Sequence, residues 1–260
     1  SIIEGEVTKE KILDTTATGL DDILNGFITV IEDTLDGLER EDLAKLNRVY
    51  RDFQKLSDRT LRIKGTVNEI LDRVGDEELE AAQFYVLAAD YINETAYSIS
   101  HIVKPSLSHV DNHHKPLLPV QIEELKLLNE ELKQRIQSTV AVLREPVDVK
   151  PPQELVKMKS FAKSLRMVRK SQIKRIKNHE IGTRNSQLFL SHLGEFRNLA
   201  LYTIRVLRVY EELILENGED VPDEELEFGT ESDIAPEDAQ QEADSDAQVE
   251  SDKDEPRDAE

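Results

Sequence analysis

Two rows of cations carry the clearest chemistry in this chain. Arg48, Arg51, Lys55, Arg59 and Arg62 step by three or four residues, and so do Lys159, Lys163, Arg166, Lys170, Lys174 and Lys177. That spacing places each row along one face of an α-helix. Five or six fixed positive charges in line attract an anionic counterpart. Beside a negatively charged membrane leaflet each Lys or Arg contributes about 1 kcal/mol. The plainer alternative is that acids on adjacent helices, such as Glu32, Asp33 and Glu80, neutralise the rows.

Two smaller groups have metal-type chemistry. Asp90 and Glu94 lie one helical turn apart, so both carboxylates can face one ligand, with His101 further along the same stripe. A divalent or transition metal ion is the candidate cofactor for such a set. His109, Asp111, His113 and His114 gather four ligand types within six residues. Their spacing differs from that of structural zinc sites, and no cysteine assists. A polar loop that caps the preceding helix accounts for them equally well. No phosphate-cradling Gly-rich loop, nucleophile elbow or His-Glu-x-x-His helix occurs, and Ser191-His192 are merely sequence neighbours. The expectation is a binding or regulatory protein and not an enzyme.

The elements that must position these residues read as helices throughout. Of 260 residues 33% are charged and 5% aromatic, with no Trp, a mixture that suits long solvated helices. There is no Cys, so disulfides and thiolate sites are excluded. No apolar run reaches the 18 residues of a membrane span. The first residue is Ser, which fits a processed form or a piece of a longer protein, and Ser1 to Lys11 lack the pattern of a signal peptide.

Apolar positions at helical spacing predict six helices: about Thr16 to Leu38, with Gly37 as its end; Leu43 to Val74; Glu77 to Leu107, ended or kinked by Pro105; Pro119 to Leu143; Gln153 to Asn178; and Arg184 to Glu216. His109 to Pro116 is expected as a loop, and Pro146, Pro151 and Pro152 mark a connection. The basic rows fall on the second and fifth helices, so the pattern restarts halfway. The fold class expected is all-α: six long antiparallel helices as two tandem three-helix bundles. The organisation expected is an N-terminal linker (1–14), a first three-helix unit (15–117), a second (118–216) and a tail (217–260).

The tail holds 19 acids and two bases, a net charge of −17, whereas the other 216 residues carry 35 acids and 31 bases, a net of −4. The tail is too polar to offset its chain entropy by burial, so it is expected to be disordered. A near-neutral body without a DNA- or RNA-reading motif argues against nucleic acid as a partner.

With the layout in view, three stretches stand out: Ala89-Asp-Tyr-Ile-Asn-Glu-Thr-Ala96, His109-Val-Asp-Asn-His-His-Lys-Pro116, and Arg184-Asn-Ser-Gln-Leu-Phe-Leu190. Through them and the helical layout the chain resembles the PhoU family of phosphate-uptake regulators. From about Leu20 to Glu212 it is most similar to the PhoU-like cytoplasmic domain fused to bacterial inorganic phosphate transporters. The family often carries an acid-x-x-x-acid metal motif on the third helix of each half. Asp90-x-x-x-Glu94 matches it in the first half, whereas in the second Glu195 is followed four residues on by Leu199.

The resemblance implies a regulatory domain in the cytoplasm, at the inner face of the cell membrane. Its partners would be the transmembrane part of a phosphate transporter, an anionic lipid surface, or a second copy of the chain. A free-standing PhoU-type signalling regulator, or a helical scaffold unrelated to phosphate, are the alternatives.

Overall fold

The computed structural model of the chain describes residues 7–144 and 151–215. Among the described residues all regular structure is helical. The helices are α1 (Lys9–Arg40), α2 (Leu43–Gly65), the short α3 (Val67–Leu71), α4 (Leu79–Asp111), α5 (Pro119–Arg144), α6 (Pro151–Lys177) and α7 (Thr183–Tyr210). A 3₁₀ turn at Asp76–Glu78 leads into α4, and a π-helical turn at Glu211–Leu215 extends α7. Six of these helices are long, and α1 and α4 have 32 and 33 residues. Residues 1–6, the connection around Pro146 and the acidic tail lie outside the described residues. Pro151 and Pro152 are not part of that connection: α6 begins at Pro151, and a first helical turn does not need the amide N–H that proline lacks.

The periodic apolar residues form the core. Leu20, Ile23, Phe27, Ile31 and Leu35 of α1 are at most 1% exposed. On α4 the small residues Ala81, Ala82, Ala88, Ala89 and Ala96 are buried, which lets other helices approach it closely. α4 packs on α1, α2 and α7; α1 also packs on α5, and α5 on α7. The two remaining long helices are peripheral. α2 packs chiefly on α1 and α4, and α6 on α5 and α7. The helices that carry the two basic rows are therefore the outer pair.

Several boundaries differ from the sequence expectation, each for a local reason. α1 begins at Lys9 and not near Thr16, because the Thr8 hydroxyl accepts a bond from the Lys11 amide at 3.3 Å and Ile12 is fully buried. Gly37 does not end α1. The helix ends at Glu41, which adopts the left-handed conformation (φ 52°). Gly37 instead makes room for its neighbour: a Cβ built there would lie 2.7 Å from Leu46 Cδ2 of α2.

The second helix breaks at Thr66 and resumes as α3. The Thr66 hydroxyl donates to the Ile63 carbonyl at 2.8 Å and stands 3.2 Å from the Tyr85 hydroxyl of α4. Pro105 does not end α4, which runs on to Asp111. His109 and Asp111 are thus helical and not in a loop. Termination falls to His113, at φ 55°, with the His114 amide bonded back to the His109 carbonyl at 3.1 Å. α6 ends the same way, with His179 at φ 55° and the Glu180 amide bonded to the Arg175 carbonyl at 3.0 Å.

Candidate functional site

The α2 row faces solvent. Arg48, Arg51, Lys55, Arg59 and Arg62 are all exposed. Lys55 pairs with Asp52 on its own helix at 3.1 Å, and Arg59 reaches Asp22 of α1 at 3.0 Å. Among the described residues no ion pair engages Arg48, Arg51 or Arg62. On α6, Lys163, Arg166, Lys170, Lys174 and Lys177 are exposed and Lys159 is half-buried. Two of the three acids named as neutralising partners are occupied elsewhere, and among the described residues no ion pair joins Glu80 to either row. Glu32 takes Lys133 of α5 at 2.8 Å, and Asp33 takes Lys45 at 3.0 Å. Lys45 also bonds Asp36 at 2.7 Å, which holds the Asp36 carboxyl below its ordinary range.

Sequence spacing could not pick out these partners, because Lys45 and Lys133 lie outside both rows. Apart from Asp22, which meets Arg59, the paired acids of α1 meet its own Arg40, Lys45 at the start of α2, or basic residues of α5. A cationic ridge with few internal partners retains its attraction for an external anion.

Below the C-terminal half of the α2 row lies a cavity of about 320 Å³ between α1, α2 and α4. Leu20, Ala88, Ala89 and Ile92 form its apolar wall, and Arg59 and Arg62 line it from α2. A second, more open cavity of about 590 Å³ lies where α4 ends and α7 begins, lined by Ser108, His109, His114, Arg184 and Gln187 among others.

The acidic and histidine groups are drawn apart. Asp90 meets Lys64 of α2 at 3.2 Å, whereas Glu94 meets Arg205 of α7 at 3.9 Å. His101 packs edge-to-face against Tyr97 with ring centroids 4.5 Å apart, and its Nδ1 lies 2.9 Å from the Tyr97 carbonyl. His109 is buried and its Nε2 donates to the Lys115 carbonyl at 2.8 Å. Arg184 approaches His114 Nε2 to 2.6 Å. Desolvation, Arg184 and His109 together hold the His114 imidazole below its ordinary range. Asp111 and His113 are exposed. Among the described residues no group of three or more His, Cys, Asp and Glu is placed to hold a metal ion.

Sequence reading missed a polar seam between α4 and α7. The Ser106 hydroxyl donates to the Ile102 carbonyl at 2.6 Å and so receives the His192 Nε2 proton at 2.8 Å. Burial pushes the His192 pKa down to about 4, which keeps the ring neutral. Thr203 likewise donates to the Leu199 carbonyl, so the Tyr91 hydroxyl donates to Thr203, at 3.1 Å. Ser98 bonds the Glu195 carboxylate. The only sequence signal was the recurrence of polar residues at positions in helical phase with the core.

No helix among the described residues is long and apolar enough to cross a membrane. No family model matches the chain, and no curated protein or solved structure is similar to it at the threshold of significance.

Proposed function

We propose that the chain is a non-catalytic regulatory domain of an inorganic phosphate transporter, as its resemblance to the PhoU-like cytoplasmic domains implies. In this reading α1–α2–α4 and α5–α6–α7 are two tandem antiparallel trios. The way each trio packs internally supports that arrangement. The reversed order of the α4–α7 partners, Tyr91 with Thr203, Ser98 with Glu195 and Ser106 with His192, supports an antiparallel contact between the two trios.

The domain meets the anionic inner leaflet, or acidic loops of the membrane part, through its basic helices. One observation carries this reading: both rows ride on the outer helices, and Arg48, Arg51, Lys163, Lys170 and Lys174 are exposed without an ion pair among the described residues. Ridges of this kind are left available to an external anion.

The test is binding of the full chain to vesicles of phosphatidylcholine with and without phosphatidylglycerol. Binding should require the anionic lipid. Arg48→Gln with Arg51→Gln should weaken it by about 2 kcal/mol, roughly thirtyfold. Indifference to lipid charge, or to both this pair and Lys163→Gln/Lys170→Gln/Lys174→Gln, would overturn the reading. The link to a transporter is tested by the reading frame upstream of Ser1, where apolar segments of about 20 residues are expected.

A further inference from the structure

The cavity between α1, α2 and α4 has features that docking on a flat anionic surface does not use. It exists because residues facing it are small. A Cβ built on Gly19 meets nothing within 4 Å, and Ala88 and Ala89 on α4 leave the opposite wall short. Its volume of about 320 Å³ matches the lower end of small-molecule sites. The interior makes little polar demand. Thr66 donates its proton to the Ile63 carbonyl, so the Tyr85 hydroxyl donates to Thr66 and both are satisfied. Charge gathers on the α2 side. Arg59 is held by Asp22 at 3.0 Å, whereas Arg62 is exposed and no ion pair engages it among the described residues.

An apolar slot flanked by a guanidinium without an internal counterion suits a molecule with an apolar tail and an anionic head. The geometry points to a binding site for an anionic amphiphile with one unbranched acyl chain, its tail against Leu20, Ala88 and Ile92 and its carboxylate or phosphate at Arg62. A neutral chain would leave Arg62 unanswered, and a bare anion would leave the apolar wall wet. This site shares Arg59 and Arg62 with the α2 ridge but does not need a membrane: an acyl chain free in solution would fill it, and Arg48 and Arg51 lie outside its lining.

The test is calorimetric titration of the full chain, below micelle formation, with laurate and with lauroyl lysophosphatidate. Dodecanol supplies the chain without the charge, and inorganic phosphate the charge without the chain. One molecule of at least one anionic amphiphile should bind per protein. Dodecanol and phosphate should bind at least about tenfold more weakly, the size of one hydrogen bond to a charged group. Tighter laurate assigns a free fatty acid as the source, and tighter lysophosphatidate a phospholipid head.

Arg62→Gln, on the exposed face, should weaken the amphiphile about tenfold and leave dodecanol unchanged. Gly19→Leu, which sends a side chain into the void, should abolish binding while far-UV circular dichroism and vesicle docking persist. The proposal is overturned if neither amphiphile binds, if dodecanol matches them, or if Gly19→Leu binds as well as the parent. Loss of vesicle docking in Arg48→Gln/Arg51→Gln with amphiphile binding intact would separate the two sites.

Discussion

Arg175 of α6 grips Glu124 of α5 with both terminal guanidinium nitrogens, Nη1 donating to Oε2 at 2.8 Å and Nη2 to Oε1. The side chains are 11% and 18% exposed. Nη1 also donates to Gln172 Oε1 at 3.1 Å, which accepts in turn from Gln121 Nε2 at 3.2 Å. Gln172 Nε2 reaches Ser186 Oγ of α7 at 3.4 Å, so the polar chain ties three helices together.

Removing one member of such a pair leaves the other charge poorly solvated. Arg175→Met is expected to lower unfolding free energy by about 3 kcal/mol in urea titrations, and Arg175→Met with Glu124→Met to recover much of it. A single-variant cost under about 0.5 kcal/mol, the level of an exposed pair, would show that water reaches the site.

His192 makes stability depend on pH. Its folded pKa of about 4 lies below the ordinary value of 6.5, so between those values the unfolded chain binds a proton that the folded chain refuses. The stabilisation is complete above about pH 6.5, is lost as pH falls toward 4, and is flat below; the full loss is about 3 kcal/mol. His192→Gln keeps an N–H for Ser106 and does not titrate. Relative to that variant, the parent should lose about 2 kcal/mol between pH 7 and pH 5 in denaturant titrations. A constant difference across that window would refute the buried neutral imidazole.

Three glycines of α1 predict three different outcomes on replacement by Ala. At Gly19 the added methyl enters open space, so helix propensity alone acts and stability should rise by about 0.8 kcal/mol. At Gly26 it meets the Leu56 side-chain tip at 2.9 Å, which can rotate away, so little change is expected. At Gly37 it meets Leu46 Cδ2 at 2.7 Å and Cγ at 2.8 Å; Leu46 is fully buried, so a loss of about 1–3 kcal/mol is expected. Thermal melts of the three variants, in that order, check the series.

Docking through exposed ridges should weaken steeply with salt, because screening shortens from about 10 Å at 0.1 M to about 3 Å at 1 M. Vesicle affinity should therefore fall sharply between those concentrations. Laurate in the α1–α2–α4 cavity should fall less, because its chain contributes an apolar term that salt does not screen. Parallel salt titrations of the two ligands read this directly; identical slopes would argue that both bind by charge alone.

Much of the helical layout was legible. Leu20, Ile23, Phe27 and Ile31, and Leu125, Leu128 and Leu132, repeat with the period of a helix, and each is buried as the repeat requires. Ends were less legible. Gly37 resembled a stop but serves as a notch for Leu46, and Pro105 resembled a stop but lies inside α4. The true ends rest on Glu41 and His113 in left-handed conformations that side chains other than glycine seldom adopt, so composition did not flag them.

The sequence by itself determined six long rods and two basic rows, because both follow from spacings of three and four residues within one element. Only the tertiary structure decided which charges answer one another and where space is left. Lys133 rather than an α2 arginine meets Glu32, Arg175 meets Glu124, and the void beside Gly19 opens under Arg62. Each depends on distances of a few ångströms between helices far apart in the chain. Those distances are set by how whole faces of side chains interlock, which no local spacing encodes.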